Sequence, residues 1–358
     1  MQARFAKPLP EAVLEEIRAA TPGGKVKAGS INQAAGGALV AQNGRALYYT
    51  THMNKAYADF AGQYLGKDYN NAPDDLDFPV GSTVLKAAWR VLENGEDRVG
   101  LYTTEANVQV LDVDAAGALV VANPIRYRKE KMALVGVHVV GRINEHPEFV
   151  WATFESNLNS PNLPVGMSSN SPLPVSDRDW LFYKAGTAAS ASNISNQREP
   201  AGGGAPTLST PYTINMDTQV ITPVTNVFRM FAYGGAKESV ASPGTDRVRD
   251  INEVNEDFMA KIAAGNPKIE PVFADYRLIG SVWIDTAVTP LKPGLDLRSS
   301  SVGSIYLANS TLETFFQSNQ FNCFTCHSTS PNKSGYPDKN IAISHIISGS
   351  LPDLQPAS

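Results

Sequence analysis

The spacing of apolar positions along the chain predicts helices in some segments and strands in others. Apolar residues three and four positions apart predict helices at 11–20, 55–65, 81–94, 246–264 and 310–316. Runs rich in β-branched and apolar residues predict strands at 46–51, 99–113, 132–143, 148–154, 224–233 and 276–285. The sequence therefore predicts an α+β fold, with a strand-rich core, several helices and long irregular loops.

One long segment lacks either pattern. Residues 156–213 are dominated by Ser, Asn, Pro, Gly and Ala, with one apolar island at Trp180–Tyr183. A structureless stretch of this length is uncommon in a compact domain unless it wraps a surface or shapes a site. We therefore expect a large α+β domain over residues 1–303 that includes this excursion. Residues 304–358 are expected to form a short C-terminal segment packed on that domain.

Composition narrows the classes of partner. The formal charge is −5 and no long basic run occurs, so nucleic acid is not an expected partner. No stretch approaches the ~20 apolar residues of a membrane-spanning helix. The start, Met1–Pro8, lacks the apolar core of a signal peptide, which taken literally predicts a cytoplasmic protein. The cysteines favour the alternative, a periplasmic or otherwise extracytoplasmic protein whose export signal is absent from this sequence.

The only two cysteines lie together in the segment Cys323-Phe324-Thr325-Cys326-His327. This is the CxxCH spacing of c-type haem attachment, in which two thiols join the haem vinyl groups and the adjacent histidine ligates the iron. The sequence therefore predicts one covalent haem c bound by Cys323 and Cys326, with His327 as the proximal ligand. A CxxC disulfide, a redox-active dithiol and half of a zinc site are the alternatives.

The second axial ligand would decide the chemistry. The last methionine is Met259, so the histidine–methionine arrangement of small class I cytochromes c, with a methionine after the motif, is not expected. His345, 18 positions after His327, is a possible distal iron ligand, or else a partly exposed residue beside an apolar face. Weaker candidates to face a haem or to serve peroxide chemistry are His52, Met53, His138, His146, Arg142 and Glu145. For His138 we expect instead an ordinary sheet residue.

Three further segments support a resemblance. They are 78–89 (FPVGSTVLKAAW), 146–155 (HPEFVWATFE), and 322–327 with Ser344-His345. In these the chain resembles an uncharacterised group of large bacterial monohaem cytochrome-c-like proteins. The resemblance implies export and haem attachment at Cys323, Cys326 and His327, and no particular substrate.

Three functions remain open at this point. The first is one-electron transfer in the periplasm with a redox partner protein or a small-molecule oxidant or reductant. The second is a peroxidase- or oxidase-like haem enzyme whose large domain covers an open iron site. The third is a CxxC redox or binding module without haem.

Overall fold

The core of the protein is a seven-stranded antiparallel sheet. It is seen in a computed structural model that describes residues 31, 37–96, 99–198, 207–231, 245–267, 269–304, 306–317 and 322–352. Six strands lie side by side in the order β1, β2, β6, β7, β12, β13, and β3 pairs with the first half of β6. These strands are Leu47–Met53 (β1), Thr83–Val91 (β2), Thr103–Gln109 (β3), Tyr127–Ile143 (β6), His146–Ser156 (β7), Tyr276–Ile284 (β12) and Ser301–Gly303 (β13).

The remaining elements are short, apart from one helix. Three small hairpins pair Leu111–Val113 (β4) with Leu119–Val121 (β5), Gln197–Arg198 (β8) with Thr207–Leu208 (β9), and Thr213–Ile214 (β10) with Ile221–Thr222 (β11). The α-helices are Lys55–Ala61 (α1), Thr245–Ala263 (α2) and His345–Ser348 (α3). Short 3₁₀ helices occur at Gly66–Asn71, Ala189–Ala191, Pro271–Asp275, Thr314–Phe316, Cys323–Thr325 and Asn340–Ile343. Strand-rich α+β architecture is thus confirmed, but with few helices.

The predicted helix at 81–94 is wrong, because these residues form strand β2. β2 lies between β1 and β6, and it is hydrogen-bonded along both of its edges. An interior strand carries apolar residues on both faces, which removes the alternation that marks a strand. Val84, Leu85, Ala88 and Trp89 therefore mimic a helical stripe. Tertiary pairing overrides a local pattern that favours helix.

Most of the other predicted helices and strands are confirmed, and two are not. The helices at 55–65 and 246–264 and the strands within 99–113 and at 132–143, 148–154 and 276–285 are confirmed, with small shifts of their ends. The strand at 224–233 is wrong: residues 224–231 have only one isolated bridge, between Asn162 and Arg229. The helix at 310–316 is reduced to the 3₁₀ turn Thr314–Phe316. The predicted helix at 11–20 lies outside the described residues.

The described part of the C-terminal segment packs directly on the sheet. Phe324, Ile341 and Ile343 are buried in one apolar cluster with Trp151 and Phe149 of β7. The Tyr57 hydroxyl of α1 also hydrogen-bonds the Ser344 hydroxyl, at 2.6 Å. These contacts join the segment to the sheet. The division of the chain into residues 1–303 and 304–358 stays a prediction.

Two glycines allow Ser304 and residues 306–314 to lie against one face of the sheet. A Cβ on Gly136 of β6 would collide with the Thr311 hydroxyl and lie 2.9 Å from Asn309 Oδ1. A Cβ on Gly280 of β12 would collide with the Ser304 hydroxyl. The absence of side chains at these two positions therefore brings this segment, with its polar residues, close to the sheet.

Candidate functional site

The predicted haem residues line a single cavity between the sheet and the C-terminal segment. Its volume is about 270 Å³, near the lower end of the range for small-molecule pockets, ~300–1,000 Å³. Strands β1, β2, β6 and β7 provide one wall, and Tyr57 of α1 with residues 307–313, 323–327 and 343–346 provides the rest. The lining residues are Thr51, Tyr57, Val84, Lys86, His138, Val140, Phe149, Trp151, Thr153, Leu307, Asn309, Glu313, Cys323, Cys326, His327, Ile343, Ser344, His345 and Ile346.

A short 3₁₀ turn places the CxxCH motif at this cavity. The turn Cys323–Thr325 begins with a capping box, in which the Asn322 side chain accepts from the Phe324 N–H and the Thr325 hydroxyl accepts from the Asn322 N–H. The Cys323 carbonyl then accepts from the amides of Cys326 and His327. These local bonds curl the motif so that both thiols and the imidazole line the same space.

His327 is held as a neutral imidazole with one nitrogen committed. Its Nδ1–H donates to the Ile343 carbonyl at 2.9 Å, from a residue 16 positions later. Burial, with the adjacent His345 imidazole, lowers the pKa of His327 well below its usual value. A neutral imidazole that donates through Nδ1 keeps the lone pair on Nε2, which is the state in which histidine ligates a metal. The donor set thus fits the predicted haem ligand.

The two cysteines are free thiols in an unreactive environment. Burial raises the pKa of Cys323, and burial together with the Glu313 carboxylate raises the pKa of Cys326. Redox-active dithiols need a lowered thiol pKa, because the thiolate is the nucleophile. Among the described residues, moreover, no three His, Cys, Asp or Glu side chains form a group that could hold a metal ion. The raised pKa of both thiols disfavours the redox-dithiol alternative.

The His327 ring contacts two other rings. Its centroid is 4.2 Å from the Trp151 ring, with the planes inclined by 43°. Its centroid is 3.8 Å from the His345 ring, and those two planes are nearly parallel at 19°. The His345 Nε2–H also donates to the Cys326 carbonyl at 3.0 Å. His345 therefore lies beside His327, and it is an exposed residue, as one of the two sequence alternatives expected. Its role as an iron ligand stays a prediction.

The sheet wall of the cavity consists of two neighbouring transverse rows. In register across β1, β2, β6 and β7, the polar row is Thr51, Lys86, His138 and Thr153. Two positions further along the strands, the apolar row is Val84, Val140 and Trp151. Side chains two apart on a strand share a face, so both rows point at the cavity. One end of the wall is thereby polar and the other apolar.

A buried carboxylate completes the polar end. Glu313 Oε1 accepts from His138 Nε2–H at 2.6 Å, and its Oε2 accepts from the Asn309 N–H at 3.0 Å. Burial alone would raise the pKa of Glu313, but the His138 imidazole and the Lys86 ammonium outweigh it and hold the pKa below its usual value. The expectation that His138 is a sheet residue is confirmed. It also belongs to the cavity wall.

The other sequence candidates lie elsewhere in the described structure. His52 Nε2 hydrogen-bonds the Thr50 hydroxyl, and His146 Nδ1–H donates to buried Glu148. The Arg142 guanidinium bonds the carbonyl of Ile143 next to it, and Glu145 is exposed at the β6–β7 turn. These four residues are not among those that line the cavity, so the structure does not bring them to the CxxCH motif.

Lys86 and Glu313 line the cavity although no sequence pattern pointed to them as site residues. Lys86 was hidden by the incorrect helix at 81–94. The pattern Ser310-Thr311-Leu312-Glu313 is typical of a helix capping box, which gives Glu313 a purely local role, whereas the Ser310 hydroxyl and amide donate to Glu155. The only signal that could have found Lys86 is its place among apolar residues of a strand, where a lone cation requires a polar neighbour.

The part of the chain described here contains no helix with the length and apolar character required to cross a bilayer. In comparisons with known proteins, no family model, no curated protein and no solved structure matches the chain.

Proposed function

We propose that the protein carries one haem c, covalently bound through Cys323 and Cys326 with His327 as iron ligand, and that it transfers single electrons in the periplasm. The observation that carries the proposal is the Nδ1–H bond from His327 to the Ile343 carbonyl, within a cavity that both thiols also line. In a chance CxxCH match, the histidine would not be expected to donate through Nδ1 to a carbonyl 16 residues away. This bond leaves Nε2, the nitrogen that would ligate the iron, with its lone pair.

The thiols suit attachment better than disulfide chemistry. Each thiol would add its sulfur and its hydrogen across one vinyl C=C bond, so two thioethers form without an oxidant. Free, neutral thiols are the reactants for this addition, and both cysteines are in that form. Compartments in which such attachment takes place are extracytoplasmic, which is why we place the protein in the periplasm.

When bound, the haem would supply a one-electron couple at its iron. The chain's own residues set the conditions around it. Neutral His327 offers Nε2 as a ligand, and its bond to Ile343 strengthens the basicity of that nitrogen. Phe149, Leu307 and Ile346 add apolar side chains to the lining of the cavity. A redox partner protein or a small oxidant or reductant would exchange the electron.

A second candidate function is a haem enzyme, and the polar row favours it. Lys86, His138 and Glu313 line the same cavity as His327. Side chains of these types donate and accept protons for a small bound substrate.

Spectroscopy of the full chain, expressed with and without the c-haem maturation machinery, tests both proposals. Covalent haem that survives denaturation is expected in the matured protein, and it should be lost in Cys323→Ala/Cys326→Ala. A matured wild-type chain without covalent haem would overturn both. A low-spin spectrum indifferent to carbon monoxide supports electron transfer, whereas a high-spin spectrum that changes with carbon monoxide supports the enzyme.

A further inference from the structure

The geometry points to Trp151 and His345 as positioning residues that fix the ring of His327 from two sides, with His345 acting as a stacking partner and not as the second iron ligand. This inference rests on the proposed haem function. It assigns a task to two residues on distant parts of the chain, one on β7 and one at the start of α3.

The two ring contacts must involve different sides of His327. The Trp151 and His345 centroids lie 4.2 and 3.8 Å from the His327 centroid. His345 stacks on one face of the imidazole at 19°, so the Trp151 ring, which is tilted by 43°, contacts His327 elsewhere than on that face. The Ile343 carbonyl restrains the Nδ1 edge. With two sides and one edge held, Nε2 has a defined direction and stays available.

The position of His345 is incompatible with ligation opposite His327. Two imidazoles bound to opposite sides of one iron have the iron between them and point their ligating nitrogens at each other. Here the two rings lie face to face, inclined by only 19°. His345 also uses its Nε2–H to bond the Cys326 carbonyl, which ties its ring to the backbone of the CxxCH motif. Ser344, which caps α3 by accepting from the Ile347 N–H, begins the turn that sets this position.

Trp151 is held in place by other residues of the segment 146–155, one of the segments on which the family resemblance rests. Its indole N–H donates to the Glu148 carbonyl at 3.1 Å. The Glu148 side chain is fully buried, and its Oε1 accepts from the Ile284 N–H of β12 and from His146 Nδ1–H. Between them, Phe149 adopts a positive φ of 68°, which turns the backbone of β7. This segment therefore supports the Trp151 ring from β12 and from within β7.

Paired substitutions separate stacking from ligation. His345→Phe keeps an aromatic ring but has no nitrogen ligand, whereas His345→Ala removes both. Trp151→Phe and Trp151→Leu form the equivalent pair, and His52→Ala serves as a control histidine away from the cavity. The readouts are the haem spin state of the matured full chain and its iron–histidine stretching frequency by resonance Raman. A third readout, the tautomer of His327 from its ¹⁵N shifts, uses the full chain without haem.

If the inference is right, His345→Phe and Trp151→Phe match the wild type and the control. His345→Ala and Trp151→Leu should shift the iron–histidine frequency and, without haem, change the single Nδ1–H tautomer into a mixture. Conversion from low spin to high spin by both His345→Phe and His345→Ala would show ligation and overturn it. So would unchanged spectra and tautomer in His345→Ala and Trp151→Leu. Failure of the proposed function shows separately, as a wild type without covalent haem, and the tautomer readout then still decides the inference.

Discussion

Gly136 offers the sharpest test of how the segment at 306–314 is held against the sheet, and Gly141 of the same strand is its matched control. A Cβ at position 136 would overlap the Thr311 hydroxyl and approach Asn309 Oδ1 to 2.9 Å. At Gly141, no atom lies within 4 Å of an added Cβ. Neither glycine has a positive φ, so alanine fits the backbone at both positions. The two substitutions thus differ in packing alone.

The neighbours of Gly136 cannot move without loss. Asn309 and Thr311 are fully buried. Asn309 Oδ1 accepts from the Thr311 amide and hydroxyl, and its Nδ2 donates to Thr153 and Phe154 of β7. Overpacking in a core costs about 1–3 kcal/mol, and each hydrogen bond lost in this network adds roughly 0.5–1.5 kcal/mol. We therefore expect Gly136→Ala to lower the free energy of unfolding by about 2–4 kcal/mol.

Gly141→Ala should instead raise the free energy of unfolding by about 0.5–1 kcal/mol, because it reduces the backbone entropy of the unfolded chain. Urea unfolding followed by tryptophan fluorescence measures both, with the midpoint falling for Gly136→Ala and rising slightly for Gly141→Ala. Midpoints that move together, in either direction, would refute the close approach of Thr311 and Asn309 to β6. Asn309 and Glu313 line the cavity, so Gly136→Ala should also alter the haem spectrum while Gly141→Ala should not.

Two further predictions concern buried carboxylates. Glu155→Gln should lower the free energy of unfolding by about 3–5 kcal/mol, because it leaves the buried charge of Arg229 unpaired. In the wild type, Arg229 Nη2 lies 2.7 Å from Glu155 Oε2. Urea unfolding checks this, with Asp59→Asn at an exposed carboxylate as the control for which no measurable change is expected. Glu313 has a pKa held below its usual ~4.3, so its carboxylate stabilises the fold above that pH, and the stabilisation is lost as the pH falls through the lower folded value. Below about pH 4, the free energy of unfolding of the wild type should therefore fall more steeply with decreasing pH than that of Glu313→Gln. Equal slopes of free energy against pH would contradict the lowered pKa of Glu313.

The sequence predicts the parts of this site that depend on neighbouring residues. Cys323, Cys326 and His327 are recognisable because their chemistry requires a fixed local spacing, and the strands β6, β7 and β12 are recognisable from their own composition. The partners of these residues are not local. Ile343 lies 16 positions from His327, and Glu313 lies 175 positions from His138. No spacing rule connects such pairs, because strand order and register bring them together.

Strand β2 shows the same limit in another form. Its residues Thr83–Val91 have Leu, Lys and two Ala, which favour helix in isolation. Pairing with β1 on one side and β6 on the other decides the outcome. The incorrect helix also hid the place of Lys86 in the cavity wall. In the strand, Lys86 is paired in register with Thr51 and His138, so the three side chains share one wall of the cavity. A helix at 81–94 would give no such register.

The choice between carrier and catalyst depends on which face of the iron the polar row would meet. If His345 is a stacking partner, the described residues place no second histidine opposite His327, and the remaining histidine of the cavity is His138. His138 is committed through Nε2 to Glu313 at 2.6 Å, so ligation through that nitrogen would cost the bond to a buried carboxylate. If His327 alone held the haem iron, Lys86 and Glu313 would remain available in the same cavity to bind a small substrate or move its protons. The positioning role of His345 therefore bears on this choice only together with the spin state of the wild type. A high-spin wild type that His345→Phe leaves unchanged favours the enzyme, whereas a low-spin one favours electron transfer with another side chain as second ligand.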